Sequence, residues 1–343
     1  MQTELDEQRR KVDVDNYTIT VRELLGMAER NELKRAPEYQ RKFRWPEDSE
    51  SRLIESILLG LPIPNLFFAT NEDGSWEVVD GLQRISTLIH FASDSPAQLQ
   101  EIGKESPLQL QGLKKLSEFN GMTYEALPPA IKFSFTKRGI GVTALSDKSD
   151  PQTRFDTFER LNRGSVELSQ QEVRACIFEG PFNKLIRELA ENSEFRTLVK
   201  LQKKNEENAT REELVLKFFA YLNNKDAFSG AVADFLNKYM EENRYGFDVE
   251  AGRAIFFQVL DFLKETIGGP FLRSNTNITP QNELEAVMVA VGEIILDGGH
   301  LGDPPAGWLN DPELVSASTG ATNTRQKLAT RISRARVLIS EGA

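Results

Sequence analysis

Cysteine and histidine are nearly absent: Cys176 stands alone, and His90 and His300 are the two imidazoles in 343 residues. One thiol excludes an internal disulfide framework. His90 falls within a helical pattern and His300 in the glycine-rich LDGGHLGDPP, contexts in which a histidine is more often structural than catalytic. Long apolar runs are missing too. A bilayer span needs about 18 such residues, and the best run, Ala286 to Val291, is soon followed by Glu293 and Asp297. The charged start MQTELDEQRRKVDVD does not fit a secretory signal, so a cytoplasmic location without a membrane partner is expected. Positive charge is in deficit, with 42 Lys and Arg against 52 Asp and Glu and a net charge of −10. That balance argues against a generally basic surface for nucleic acid, because phosphate binding rests on neutralisation by Lys and Arg. Any such contact has to be local. No repeat period is evident, which argues against a solenoid.

A hydrophobic fraction of 39% and the length of the chain suffice for a packed core and for two domains. The first part mixes strand and helix signals. NYTIT alternates as a strand does, and VRELLGMAER carries helical spacing at Val21, Leu24, Leu25 and Ala28. In WPEDSESRLIESILLGLPIP, Pro46 and the acids suit a first turn, and Leu53, Ile54, Ile57, Leu58 and Leu61 form a buried stripe. Gly60 and Pro62 end that helix. NLFFAT and WEVVD flank Asp73-Gly74, a hairpin signal. A helix is predicted over Leu82 to Ala92, and the Ser- and Pro-punctuated stretch from Ser93 to Pro107 reads as an exposed connection or insertion. A short helix from Pro128 then precedes a strand in GIGVTAL. Beyond Asp150 amphipathic segments follow one another, near Thr153 to Leu161, Ser169 to Phe178, Phe182 to Glu191, Arg211 to Leu222, Ala231 to Glu242, Ala251 to Glu265 and Gln281 to Leu296. The expected class is α+β, a small mixed sheet with helices over residues 16–150 and an all-helical domain over 151–343.

Chemistry concentrates in three places. EVVDGLQRISTLIHF runs a strand into Asp80-Gly81 and directly into a helix, whose N-terminus offers unpaired N–H groups and the positive end of the macrodipole to a phosphate. Gly81 lets the backbone approach, Arg84 can fork onto phosphate oxygens, Gln83 can donate or accept, and Asp80 can hold hydrated Mg²⁺ or cap the helix. The plainer alternative leaves Asp80 as a cap and Arg84 as a surface residue. LKRAPEYQRKFRW is the one basic loop, with Lys34, Arg35, Arg41, Lys42 and Arg44 opposed only by Glu38. Its Tyr39, Gln40, Arg41 and Trp45 combine hydrogen bonding, charge and stacking surface, against a reading as solvated loop and core anchor. In FERLNRGSVELSQQEVR, Asn162-Arg163-Gly164-Ser165 separates two helices, and Ser169 with Glu172 makes a capping box for the second.

The order YQRKFRW, LIESILLGLPIPNLFF, EVVDGLQRISTL and FERLNRGSVELSQQEVRA, over residues 16 to 178, closely resembles the amino-terminal domain of GmrSD-type modification-dependent restriction enzymes. The same domain is seen in the SspE phosphorothioation-defence protein. The resemblance implies a ParB/sulfiredoxin-like fold and nucleotide binding with hydrolysis in antiphage defence; together with the Mg²⁺ that Asp80 can hold, Mg²⁺ and a nucleoside triphosphate are the expected small-molecule requirements. By motif match it assigns Asp80, Gly81, Gln83 and Arg84 to the nucleotide site, joined by Arg41 and Asn162; Asp80, Gln83 and Arg84 are the expected catalytic residues, Asp80 the expected metal ligand, and Gln40 a further expected nucleotide contact. One departure is Leu82, which replaces the first glutamine of the Asp-Gly-Gln-Gln-Arg hallmark and puts turnover in question. A second is the missing His-Asn-His-type nuclease, which needs a general-base histidine and metal ligands. Cutting then belongs to a separate nuclease subunit or to the ParB-like domain itself.

TNTRQKLATRISRARVLI aligns Leu328, Ile332, Ala335 and Ile339 on one helical face, flanked by Lys327, Arg331 and Arg334. That edge is either solvated or in contact with phosphate, so Lys42, Arg44, Lys327 and Arg331 are the expected contacts to duplex DNA. The leading expectation is a nucleotide-binding, NTP-hydrolysing component of a prokaryotic defence or restriction system. The alternative is a non-catalytic DNA- or partner-binding regulator on the same fold. The oligomeric state stays open.

Overall fold

A computed structural model describes residues 13–34, 45–71, 73–146, 149, 155–157, 169–203, 205–274 and 276–340. The chain clusters into two compact units, Met1–Glu167 and Leu168–Ala343.

The first unit is built on a five-stranded mixed sheet of order β1-β5-β3-β4-β2. Strand β1 (Val14–Thr20) runs into helix α1 (Val21–Glu29) without a loop, because the Thr20 hydroxyl accepts from Glu23 N and caps the first turn. Val21, Leu24 and Ala28 are the buried face of α1, in the expected stripe. A two-residue strand β2 (Leu33–Lys34) follows. Helix α2 (Glu47–Leu59) opens with Glu47, Asp48 and Glu50 near the positive end of its dipole and ends where Gly60 takes a left-handed φ of 76°. That turn carries Leu61 out of the predicted stripe, and it is 45% exposed. Strands β3 (Leu66–Thr70) and β4 (Trp76–Asp80) form the antiparallel hairpin, with the Asp73 carboxylate accepting from Ser75 N across the turn. Helix α3 (Leu82–Ala92) has the predicted bounds.

The stretch read as an exposed connection forms helix α4 (Pro96–Glu101) instead, started by Pro96 and anchored by buried Leu99 and Ile102. Helix α5 (Pro129–Thr136) leads to β5 (Gly139–Leu145). Strand β5 pairs antiparallel with β1 and parallel with β3, so the latest strand in sequence sits inside the sheet. Ile140, Val142, Ala144, Phe68 and Val78 pack on Leu24, Ile54, Ile57, Ile85, Leu88 and Ile89 of the three long helices. The opposite side of β5 carries Gly141 and Thr143, paired with Thr18 and Asn16 of β1.

His90 is structural in kind: Nδ1 lies 2.6 Å from Glu50 Oε2 and Nε2 lies 3.0 Å from the Ser106 carbonyl oxygen, so α3, α2 and the chain after α4 are tied together. Lys104 Nζ adds a bond of 3.3 Å to Glu50.

The second unit is helical, from α6 (Gln170–Ile177), α7 (Pro181–Glu191), α8 (Ser193–Leu198) and α9 (Thr210–Asn224) to α10 (Val232–Asn243) and α11 (Val249–Ile267), then α12 (Gln281–Leu296), α13 (Pro312–Ala317) and α14 (Arg325–Ser340). Ser169 and Glu172 close the expected capping box at the start of α6. Helix α12 is apolar nearly all round and lies against α9, α11 and α14, which explains its burial from Leu284 to Val291. Among the described residues no helix is long and apolar enough to cross a membrane.

Candidate functional site

The register of the hairpin shifts next to the motif: Phe67 pairs with Asp80 but Phe68 pairs with Val78, which leaves Val79 as an extra residue on β4. A bulge of this kind bends a strand and re-aims its last side chains. Asp80 then stands at the strand end with its carboxylate side chain 38% exposed.

Gly81 makes the turn from strand to helix at φ 110°, and a Cβ there would fall 2.3 Å from Leu66 Cδ2. Leu66 is a core residue, so the glycine is required by packing as well as by backbone conformation. Gly81 is the N-cap of α3 and no side chain caps the helix. The first backbone bond, from Ile85 N to Gly81 O, is 2.9 Å long. The N–H groups of Leu82, Gln83 and Arg84 therefore precede the intrahelical ladder. Asp80 does not cap, contrary to one of the two sequence readings, because it accepts from Arg84 Nη2 at 3.1 Å one turn on.

Arg84 is 11% exposed along its side chain. Its Nη1 donates to the Pro64 carbonyl and, at 3.1 Å, to that of Asn65, while Nη2 faces Asp80. The guanidinium thus clamps the entry of β3 to the motif, and its fork is directed at protein oxygens. Gln83 Oε1 accepts from Trp45 N at 3.2 Å, which fixes the end of the basic loop and the start of α2 beside the motif. Leu82 is half-buried against the hydrophobic core. A leucine at that position gains burial that a glutamine amide would lose.

Gln40, Arg41, Lys42, Arg44 and Asn162 lie outside the described residues. Among the described residues no group of three or more His, Cys, Asp or Glu side chains is disposed to hold a metal ion. Mg²⁺ bound with phosphates and water takes one or two carboxylates rather than a protein cage, and Asp80 is the residue of the turn that would hold it.

The basic edge expected on α14 needs correction. Arg331 is 1% exposed, donates to the Thr322 carbonyl at 2.9 Å and lies 3.7 Å from Glu285, so it cannot reach a phosphate on the surface. Lys327 Nζ donates to the Ser316 carbonyl at 2.8 Å, and Arg334 makes a two-pronged pair with Asp311 at 3.0 and 2.7 Å. These cations serve the helical unit itself.

Two groups near the motif escape sequence reasoning. The Asn65 side chain donates to Thr143 Oγ1 at 3.4 Å, and Thr143 donates to Asn16 Oδ1 at 2.9 Å, which makes a polar row on the open side of the sheet. Arg138, just before β5, is exposed with its guanidinium against Gly60. No local pattern marks either, because each depends on which strands become neighbours.

No curated protein and no solved structure matches the chain. Residues 21–179 match the family described as GmrSD restriction endonuclease, N-terminal domain. The Asp80–Arg84 turn falls within that span, so the region that holds it is similar to the GmrSD restriction endonuclease N-terminal domain.

Proposed function

We propose that the turn from β4 to α3 binds the phosphates of a nucleoside triphosphate with Mg²⁺ and hydrolyses it, as one step of a restriction or antiphage system. The observation that carries this reading is the uncapped N-terminus of α3, with an exposed carboxylate on the preceding residue and a guanidinium one turn later. Free N–H groups and the helix dipole favour an anion there. Arg84 holds the phosphate site open by clamping Pro64 and Asn65, and Nη2 exchanges the Asp80 carboxylate for a phosphate oxygen when the ligand arrives. The exchange trades one charge-assisted hydrogen bond for another, each on the scale of about 1.5–3 kcal/mol. Asp80, released from Arg84, is the residue that would hold Mg²⁺, which supplies charge neutralisation at the transferred phosphate. Gln83 keeps Trp45, and with it the end of the basic loop, at the site. Gln40, Arg41 and Asn162 are the further contacts proposed from the flanking motifs.

Phosphate release measured on wild type and Asp80→Asn, with and without Mg²⁺ and DNA, tests the reading. The substitution is expected to lower turnover far more than nucleotide affinity. If wild type hydrolyses no nucleotide under any of these conditions, the regulator on the same fold replaces the enzyme.

A further inference from the structure

A cleft of about 370 Å³ opens on the sheet side where β1 and β5 meet the chain leaving α2. Thr18, Gly139, Gly141 and Arg138 line it on one side and Leu61 and Ile63 on the other. Its volume is within the range of small-ligand clefts, about 300–1,000 Å³. Three glycines of its wall let neighbouring side chains pack directly on the backbone. A Cβ on Gly141 would fall 2.2 Å from Asn65 Oδ1, one on Gly139 2.6 Å from Thr18 Cγ2, and one on Gly60 1.8 Å from Arg138 Nη2.

The cleft adjoins the phosphate site through a single residue. Leu66 pairs with Val142 in the parallel β3–β5 ladder, which puts Asn65 beside Gly141, and Gly141 pairs with Thr18. The Asn65 amide lies over Gly141, while its main-chain carbonyl accepts from Arg84 Nη1 at 3.1 Å. From Thr18 on β1 to Asp80 on β4 is three strand spacings across and two residues along, roughly 16 Å, a distance an extended nucleoside triphosphate can bridge. The contents of the cleft suit the other end of such a molecule. Arg138 is exposed, and among the described residues no carboxylate pairs with it, so its planar guanidinium is available to stack on a base. Thr18 offers a hydroxyl to base or sugar edges, and Leu61, 45% exposed, supplies an apolar wall.

We propose that this cleft receives the base and sugar of the nucleotide whose phosphates sit at the N-terminus of α3, with Arg138 as the stacking residue and Asn65 as the hinge between the two parts. The proposal rests on the phosphate-site reading above, and the test separates the two. Wild type, Arg138→Ala and Gly141→Val are titrated calorimetrically with a nucleoside triphosphate and with inorganic tripolyphosphate, which has the phosphates and no base. The expected result is a loss of affinity for the nucleotide of about tenfold or more in both variants, the scale of one base stack, with tripolyphosphate affinity unchanged. Unchanged tripolyphosphate binding also reports that the variants are folded. Equal losses for both ligands in Arg138→Ala, whose side chain is on the surface, would make the cleft a phosphate site and overturn the proposal. No loss for either ligand would overturn it and leave the phosphate site standing. A wild type that binds neither ligand would remove the phosphate site, and the cleft's role with it.

Discussion

In the sheet unit the Asp80–Arg84 pair stands at a strand end with the carboxylate 38% exposed, whereas in the helical unit Arg174 and Arg331 are 0% and 1% exposed. The buried arginines are joined through a chain of alternating charges. Arg174 pairs with Glu213 at 2.7 Å, Lys217 bridges Glu213 and Glu285 at 3.0 and 3.1 Å, and Arg331 lies 3.7 Å from Glu285. Burying such groups costs several kcal/mol each unless every one is paired, and here each has an opposite neighbour. Burial alone would lower the Lys217 pKa, yet Glu285 and Glu213 more than reverse it and hold the ammonium charged. The two units teach what a polar cluster is for. One whose charges pair with each other away from water holds helices together, and one that stays partly solvated with an uncapped helix end beside it is open to a ligand.

The largest effect that sharpens this contrast comes from removing a single link. Glu285→Ala leaves the buried Arg331 without a carboxylate and Lys217 with Glu213 alone, and urea unfolding followed by circular dichroism is expected to show a loss of about 3–5 kcal/mol. Asp80→Asn in the same assay should stay within about 1 kcal/mol. Similar losses for the two would erase the distinction. Gly81→Ala comes next, at about 1–3 kcal/mol, because it combines a positive φ with the approach to Leu66; an unchanged melting temperature would show that the turn can relax.

Acid should weaken the helical unit. Burial raises the Glu213 pKa, but Lys217 and Arg174 more than reverse this and bring it to about 2 from the usual 4.5. A carboxyl depressed in the folded state contributes stability above its unfolded value and loses it as protons bind. Stability is thus expected to fall as pH drops from about 4.5 to about 2, and Glu213→Gln should flatten that dependence. A slope equal to that of wild type would remove Glu213 from the acid response.

The smallest effect concerns DNA. If the basic loop meets phosphates, alanine at Lys42 and Arg44 should flatten the plot of log affinity against log salt by roughly one unit per lost contact. Lys327→Ala and Arg331→Gln should leave the slope as it is, since both cations are held within the helical unit. A response to Arg331→Gln would mean that the buried chain of charges opens to DNA.

Much of the site was readable because its signals are local. A strand ending in Asp80-Gly81 before an apolar stripe specifies the joint, and Ser169 with Glu172 specifies a helix start. What stayed hidden depends on distant pairing. Nothing near GIGVTAL announces that β5 inserts between β1 and β3, and therefore nothing announces that Asn65 lies beside Gly141. Arg84 was legible as a polar group but its partners were not, because they are main-chain carbonyls, which every residue carries. Arg331 misled through its charge. It lies three residues after Leu328 and one before Ile332, at the margin of the apolar stripe, and burial there is tolerable only because Glu285 on the neighbouring helix supplies a carboxylate.

The central claim is that the turn from Asp80 to Arg84 is a phosphate site, and calorimetric titration of wild type and Arg84→Ala with a nucleoside triphosphate, with and without Mg²⁺, tests it most directly. The account predicts saturable binding that strengthens with Mg²⁺ and weakens in the variant by about 1.5–3 kcal/mol, the scale of a charge-assisted hydrogen bond. Binding of equal strength in a folded Arg84→Ala protein, or no binding to wild type, would contradict it.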